Sequence, residues 1–514
     1  MEDSSAPSTS TRSSFEAFYK NQGLTSSELR KRRGNEAIRI RKEKRDETRN
    51  KRRHIVADSD EEMAEETDLK DGPYDFEVFD ESLIDDLNSY VSPGSEERVL
   101  RALVFYRHLI ENKDHAVSEI LSLGLTTIFI DIINSVRSPR ILYESVHILS
   151  EIACLADGND VISSNPAIFD QLVTLLSSHE DRLQEVAASA VSNIASDCSL
   201  YCIERGLIES ILTLYDRCEE DVELRANLVW IARNLCKKKL APETFEKLMQ
   251  LYPLLVDELC RESAPAKVTA DAAMALALLG DQTDERIARV AVEHRRIMPK
   301  MLEMMELGQP TDVRQAAVRY VSNLASGDDA QTDLVCQCAL PSLREILADS
   351  SDSGARRDAC WAISNIAAVG RERVEALLQA GVFAPIVRIL DTGSFDLRKE
   401  AAWAIFNATQ YGSLKQIAFL CRLNMYAPLV DLLTTVDWSV VCISLRAIRR
   451  LLEMGESDKL QRNLFENRAK QKLEEEGFRD RLDFLQNCDN KDVSREAAQI
   501  WKLFFEDNDD DEMI

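Results

Sequence analysis

Residues 358–367 read DACWAISNIA. Ala359, Cys360, Ala362, Ile363, Ile366 and Ala367 are small or apolar and suit a buried helix. Asp358, Trp361 and Asn365 do not fit that pattern. Their spacing of three and four residues places an acid, an indole and an amide along one face of an α-helix. Asn is a poor helix former and a poor core residue, so it needs a purpose there. An indole beside an amide is a recognition surface for peptide. The ring attracts a Lys or Arg by a cation–π contact worth about 0.5–2 kcal/mol. The amide offers an extended main chain both a donor and an acceptor.

The stretch is one copy of a repeat. The Trp361 position recurs as His147, Ser189, Trp230, Met274, Arg319, Trp361 and Trp403, at steps of 42, 41, 44, 45, 42 and 42. Four residues on stand Glu151, Asn193, Asn234, Leu278, Asn323, Asn365 and Asn407. A second register agrees: Pro253, Pro299, Pro341, Pro385 and Pro428 stand just before or within apolar runs such as PIVRIL. Proline suits the first turn of a helix, where its missing N–H costs nothing. Gly206 and Gly381 precede such helices and are expected to make the turns into them. Two registers of about 42 residues with one phase predict an all-α, right-handed superhelical solenoid of armadillo or HEAT type. About ten units fit between residue 75 and the C-terminal tail. No unit can bury its apolar face alone, so neighbours stack into one continuous core.

Charge divides the chain. The net charge is −26 over 514 residues. Residues 30–53 hold thirteen Lys/Arg against four Asp/Glu, a local +9 that leaves −35 on the remainder. An acidic body argues against general nucleic-acid binding, which needs cations to displace phosphate counterions. It favours basic partners, and the chain's own arm is one of them. The expected order is a basic arm over 1–57, disordered when free; an acidic linker over 58–74; the repeat domain over 75–505; and an acidic tail over 506–514. No apolar run reaches the length of a membrane span, and no signal peptide is visible. The twelve Cys are scattered through apolar helical patterns, which fits a reducing compartment, cytoplasm or nucleus. No catalytic constellation or glycine-rich phosphate loop is present, and Cys336-x-Cys338 has no partner ligands at metal spacing. Neither an enzyme nor a cofactor is expected.

Several stretches resemble importin α, the adaptor family of nuclear import. They are YKNQGLTSSELRKRRGNEAIRIRKEKRDETRNKRRHI near the N-terminus, LVWIARNLC, RYVSNLASGDDAQTD, RRDACWAISNIA, RKEAAWAIFNAT, and EEEGFRDRLDFLQNCDNKDV near the end. The resemblance implies an importin-β-binding segment over roughly 12–54, carried here by Arg30, Lys31, Arg32, Arg33, Arg39, Arg41, Lys42, Lys44 and Arg45. It implies a major localisation-signal site, placed on Glu151, Asn193, Asp197, Trp230, Asn234 and Asp271. It also implies a minor site on Arg319, Asn323, Thr332, Asp358, Trp361, Asn365, Glu400, Trp403 and Asn407. The expected partners are importin β, cargo with basic signals, and an export receptor for recycling, with shuttling between cytoplasm and nucleus. Neither direct nucleic-acid nor membrane contact is expected.

The major site departs from the family pattern. His147, Ser189 and Glu151 replace two Trp and an Asn, and Lys267 stands where the family has an acid. The minor side keeps its residues, so more of the recognition is expected to fall there. Lys51, Arg52 and Arg53 resemble a short signal, tethered to an acidic groove at an effective concentration of about a millimolar. They are expected to compete with cargo, giving autoinhibition relieved by importin β. The alternative is an armadillo scaffold of adhesion or signalling, like the β-catenin group; such scaffolds hold acidic ligands in basic grooves, the opposite charge sign.

Overall fold

A computed structural model describes residues 80–506, except 81, 113–115, 154–165, 281–295 and 350. The basic arm, the acidic linker and the tail beyond residue 506 lie outside the described residues. So do all the importin-β-binding positions from Arg30 to Arg45, and Lys51, Arg52 and Arg53.

Among the described residues the regular structure is helical throughout, with no strand. Ten long helices recur in the expected register: Glu96–Asn112, Pro139–Ile152, Asp181–Asp197, Val222–Leu235, Ala266–Gly280, Thr311–Leu324, Ser353–Ala367, Phe395–Tyr411, Trp438–Arg462 and Lys491–Phe504. We call these the inner helices, numbered first to tenth. The chain folds as two compact units, with described residues 80–359 and 360–506, and the division falls in the seventh inner helix.

Within the first unit, successive inner helices from the first to the sixth pack side by side. In the second unit the eighth packs on the ninth, and the ninth on the tenth. A central inner helix is covered on several sides and buried nearly all round, whereas the terminal tenth helix buries one stripe of Val493, Glu496, Ala497 and Ile500. Asp181–Asp197 is buried continuously from Val186 to Ser196, its small residues Ala187, Ala188, Ser189, Ala190, Ser192 and Ala195 included. Small residues let the backbones approach to the ~8–10 Å of close helix packing.

The turns follow the sequence signals. Pro253 and Pro341 occupy the first turns of Tyr252–Cys260 and Leu340–Ala348. Pro299, Pro385 and Pro428 stand third in Ile297–Met304, Phe383–Thr392 and Tyr426–Asp431. Gly206 and Gly381 turn the chain at φ of 80° and 73°. Asn424, at φ 56°, makes the corresponding turn before Tyr426 without glycine, as the short polar side chain of Asn permits. The fold is therefore the armadillo solenoid that the periodicity predicts.

Candidate functional site

The Asn positions form a ladder across inner helices. In the first unit, Asn193 donates from Nδ2 to Ser150 O at 3.2 Å. Asn234 donates to the hydroxyl of Ser192, and Asn323 donates to Ala277 O at 2.6 Å. In the second unit, Asn407 donates to Ser364 O at 2.8 Å and lies 3.1 Å from Ser364 Oγ. Every acceptor is the residue just before the ladder position on the preceding inner helix. Each of these amides therefore commits a donor to its neighbour, which fixes its orientation. An amide also carries an Oδ1 acceptor and a second N–H. Asn323 Oδ1 and Asn365 Nδ2 are buried and have no hydrogen-bond partner among the described residues.

Sequence reasoning gave these Asn to cargo alone and missed the stapling role. The signal was present in the recurring Ser-Asn pairs Ser192-Asn193, Ser322-Asn323 and Ser364-Asn365, about 42 residues apart where adjacent. Ser322 holds the structure differently, donating to Val318 O at 2.7 Å and Asp358 O at 2.8 Å.

The aromatic rungs are less open than expected. Trp361 keeps 1% of its surface and Trp230 8%, while Trp403 is half-buried with its ring edge-on to Phe406 at 5.7 Å. The free-standing aromatic wall is corrected accordingly.

The acids also divide into two kinds. Asp358 is fully buried, 3.8 Å from the equally buried Arg319 guanidinium. It was expected to supply charge to cargo, but its first task is to balance that cation, since a buried charge is costly without a counter-charge. Thr332 is fully buried as well and donates to Asp328 O at 3.0 Å within its own helix turn. Glu400 is different. It stands one turn before Trp403 on the same helix, half-buried, and its Oε2 has no hydrogen-bond partner among the described residues.

The degenerate major side is filled by the chain itself. Ser189 is buried and accepts from Ser150 Oγ at 2.9 Å. His147 lies edge-on to Tyr143 at 5.7 Å and keeps 2% of its surface. Lys267 is exposed. The Asp271 carboxylate there meets one of the chain's own cations, and two lysines reach the Asp197 main-chain carbonyl and the Ser196 hydroxyl. Arg233 is ion-paired with Asp271, Lys238 donates to Asp197 O, and Lys237 donates to Ser196 Oγ at 3.2 Å. Sequence reasoning missed Arg233, Lys237 and Lys238, although all three lie within one helical turn of Asn234.

Burial pushes the Cys202 and Cys236 thiols far above their usual range, away from reactive thiolate.

The comparisons with known proteins agree with this architecture. A model described as importin beta binding domain matches residues 16–102. One described as armadillo/beta-catenin-like repeat matches residues 168–196, 328–368 and 371–410. Importin subunit alpha-3 of Arabidopsis thaliana is 29% identical over 499 residues, covering 94% of this chain and 91% of that protein. Importin subunit alpha-1b of Oryza sativa subsp. japonica is 29% identical over 420 residues, covering 80% of this chain and 77% of its own length. The crystal structure of an engineered protein superposes with a TM-score of 0.66 at 21% identity, covering 82% of this chain and 98% of that one, a likeness of fold. With an importin-β-binding segment ahead of armadillo repeats and full-length relatives of one kind, the chain belongs to the importin α family.

Proposed function

We propose that the chain is a nuclear import adaptor, holding basic localisation signals on its armadillo units and engaging importin β through its N-terminal arm. The observation that carries the peptide-binding reading is the eighth inner helix. It presents Glu400, half-open Trp403 and Asn407 in one stripe, with the Asn407 amide oriented by Ser364. A buried carboxylate oxygen without a partner is unfavourable until a cation reaches it. An indole beside it suits the aliphatic stem and charge of Lys or Arg.

The minor-side residues of the second unit, Asn365, Glu400, Trp403 and Asn407, carry more of the recognition than the major side. The supporting contrast is that Asp271 already has Arg233 and that Ser189 and His147 replace indoles. Recycling by an export receptor, shuttling between cytoplasm and nucleus, and the absence of direct nucleic-acid contact belong to the same reading. So does competition between Lys51, Arg52 and Arg53 and cargo. An adhesion or signalling scaffold is not favoured, because the body is acidic and the arm matches an importin-β-binding domain.

The test is peptide binding with Glu400→Gln and Trp403→Ala beside Trp230→Ala. The minor-side changes are expected to weaken signal peptides by up to about tenfold each and the major-side change by less. A larger loss from Trp230→Ala with single-cluster peptides would overturn the minor-side preference. Retention of importin β by the full chain in a pull-down, lost on deleting residues 1–56, tests the adaptor reading.

A further inference from the structure

The ladder register runs one repeat beyond Trp403, and there its chemistry reverses. The ninth inner helix, Trp438–Arg462, places Arg446 at the Trp register and Arg450 at the Asn register. Arg449 lies beside them. These side chains are ordered by the eighth and tenth inner helices. Arg450 Nε donates to Thr409 O at 3.1 Å, and its Nη1 is ion-paired with Glu453. Arg449 Nε lies 3.2 Å from Glu496 and 3.8 Å from Glu453, and its Nη1 donates to Gln499 at 3.3 Å. Arg446 Nε lies 3.5 Å from Glu496, and its side chain remains 43% exposed.

Three guanidinium groups thus share two carboxylates, leaving a positive excess at the end of the ladder in a strongly acidic protein. A wall-and-clamp rung would continue the reading of a basic peptide. This rung repels Lys and Arg. Arginine presents several N–H groups in a planar fork, which matches a carboxylate or phosphate held against it.

We propose that Arg446 and Arg450 form a specificity element for cargo, accepting an anionic side chain next to the basic residues held at the Trp403 rung and rejecting a further cation. The proposal rests on the peptide-binding reading of the eighth inner helix. The shared ligand chemistry is an anionic side chain, either Glu or Asp or a phosphorylated Ser.

The experiment is fluorescence anisotropy on the full chain with basic signal peptides that differ only in the residues flanking the basic cluster. Gln, Glu, phosphoserine or Lys is placed on the N-terminal or the C-terminal flank. Glu on one of the two flanks is expected to tighten binding about twofold to fivefold over Gln, with Lys weakening it by a similar factor. Phosphoserine exceeding Glu identifies phosphate as the better ligand; equality identifies charge alone. The variant Arg446→Gln/Arg450→Asn is expected to lose the flank preference while still binding the Gln-flanked peptide. If the double variant unfolds, Arg446→Gln alone serves, because it breaks only the pair with Glu496. A wild-type chain indifferent to the flanks, or a preference that survives in the variants, overturns the proposal. A Gln-flanked peptide that fails to bind at all overturns the peptide-binding reading, and this inference with it.

Discussion

Replacing Arg233 by Ala is expected to strengthen, not weaken, the binding of single-cluster signals. Arg233 is ion-paired with Asp271, whose side chain keeps 6% exposure against 34% for the arginine. The pair lies between two limits. Exposed pairs contribute about 0.2–1 kcal/mol, and breaking a fully buried one costs about 3–5 kcal/mol. With the arginine a third open, losing it should cost ~1.5 kcal/mol of stability. That deficit is recoverable by any cation that reaches Asp271. A Lys of cargo doing so should gain ~1 kcal/mol, or about fivefold in affinity. The assay is anisotropy with a lysine-rich single-cluster peptide, comparing wild type, Arg233→Ala, Asp271→Asn and the double variant. The gain should vanish in the double variant and shrink as salt rises through the range where the screening length falls below about 8 Å. An Arg233→Ala chain that folds normally yet binds no tighter would show that Asp271 does not face the peptide, and would refute the claim that the chain's own cations occupy the major side.

Other outcomes follow from the same geometry. Asn193→Ala should lose about 1 kcal/mol of stability in chemical denaturation, and Asn193→Asp more, since a carboxylate cannot donate to Ser150 O; an Asp variant as stable as wild type would remove the stapling role. Asp437 caps the ninth inner helix. Burial works to raise its pKa, but bonds from Lys399 and Ser439 overcome this and bring it down to about 2. A depressed carboxylate pKa stabilises above the unfolded value and is lost as pH falls towards the folded one, so the window is about pH 4 to 2. The contribution should be about 2 kcal/mol at pH 6 and about half that at pH 3, read as the narrowing difference between wild type and Asp437→Asn in urea. Deleting residues 1–56 should lower the dissociation constant of cargo for the isolated chain; an unchanged value would remove autoinhibition.

The register of this fold was legible because it is written in local spacing. A helix period places Asp358, Trp361 and Asn365 on one face, and a repeat of about 42 residues places that face in each unit. Proline and glycine mark where each helix starts, since their backbone preferences act within a few residues. The recurring stripe is therefore visible in the sequence itself, and so is the absence of Trp at His147 and Ser189.

Partner choice was not legible in the same way. Asn193 meets Ser150, Arg233 meets Asp271, and Arg450 meets Thr409, at separations of 43, 38 and 41 residues. No short-range pattern says which of several nearby polar groups a flexible guanidinium or amide will choose. Lys267 was flagged because it stands at a register position, yet it is exposed, while Arg233, one residue off the ladder, reaches the acid. By itself the sequence determined the repeat, the ladder and the family. Only the stacking of the inner helices decided which acids meet a counter-charge, because that depends on the cations which packing brings within a few ångströms of each carboxylate.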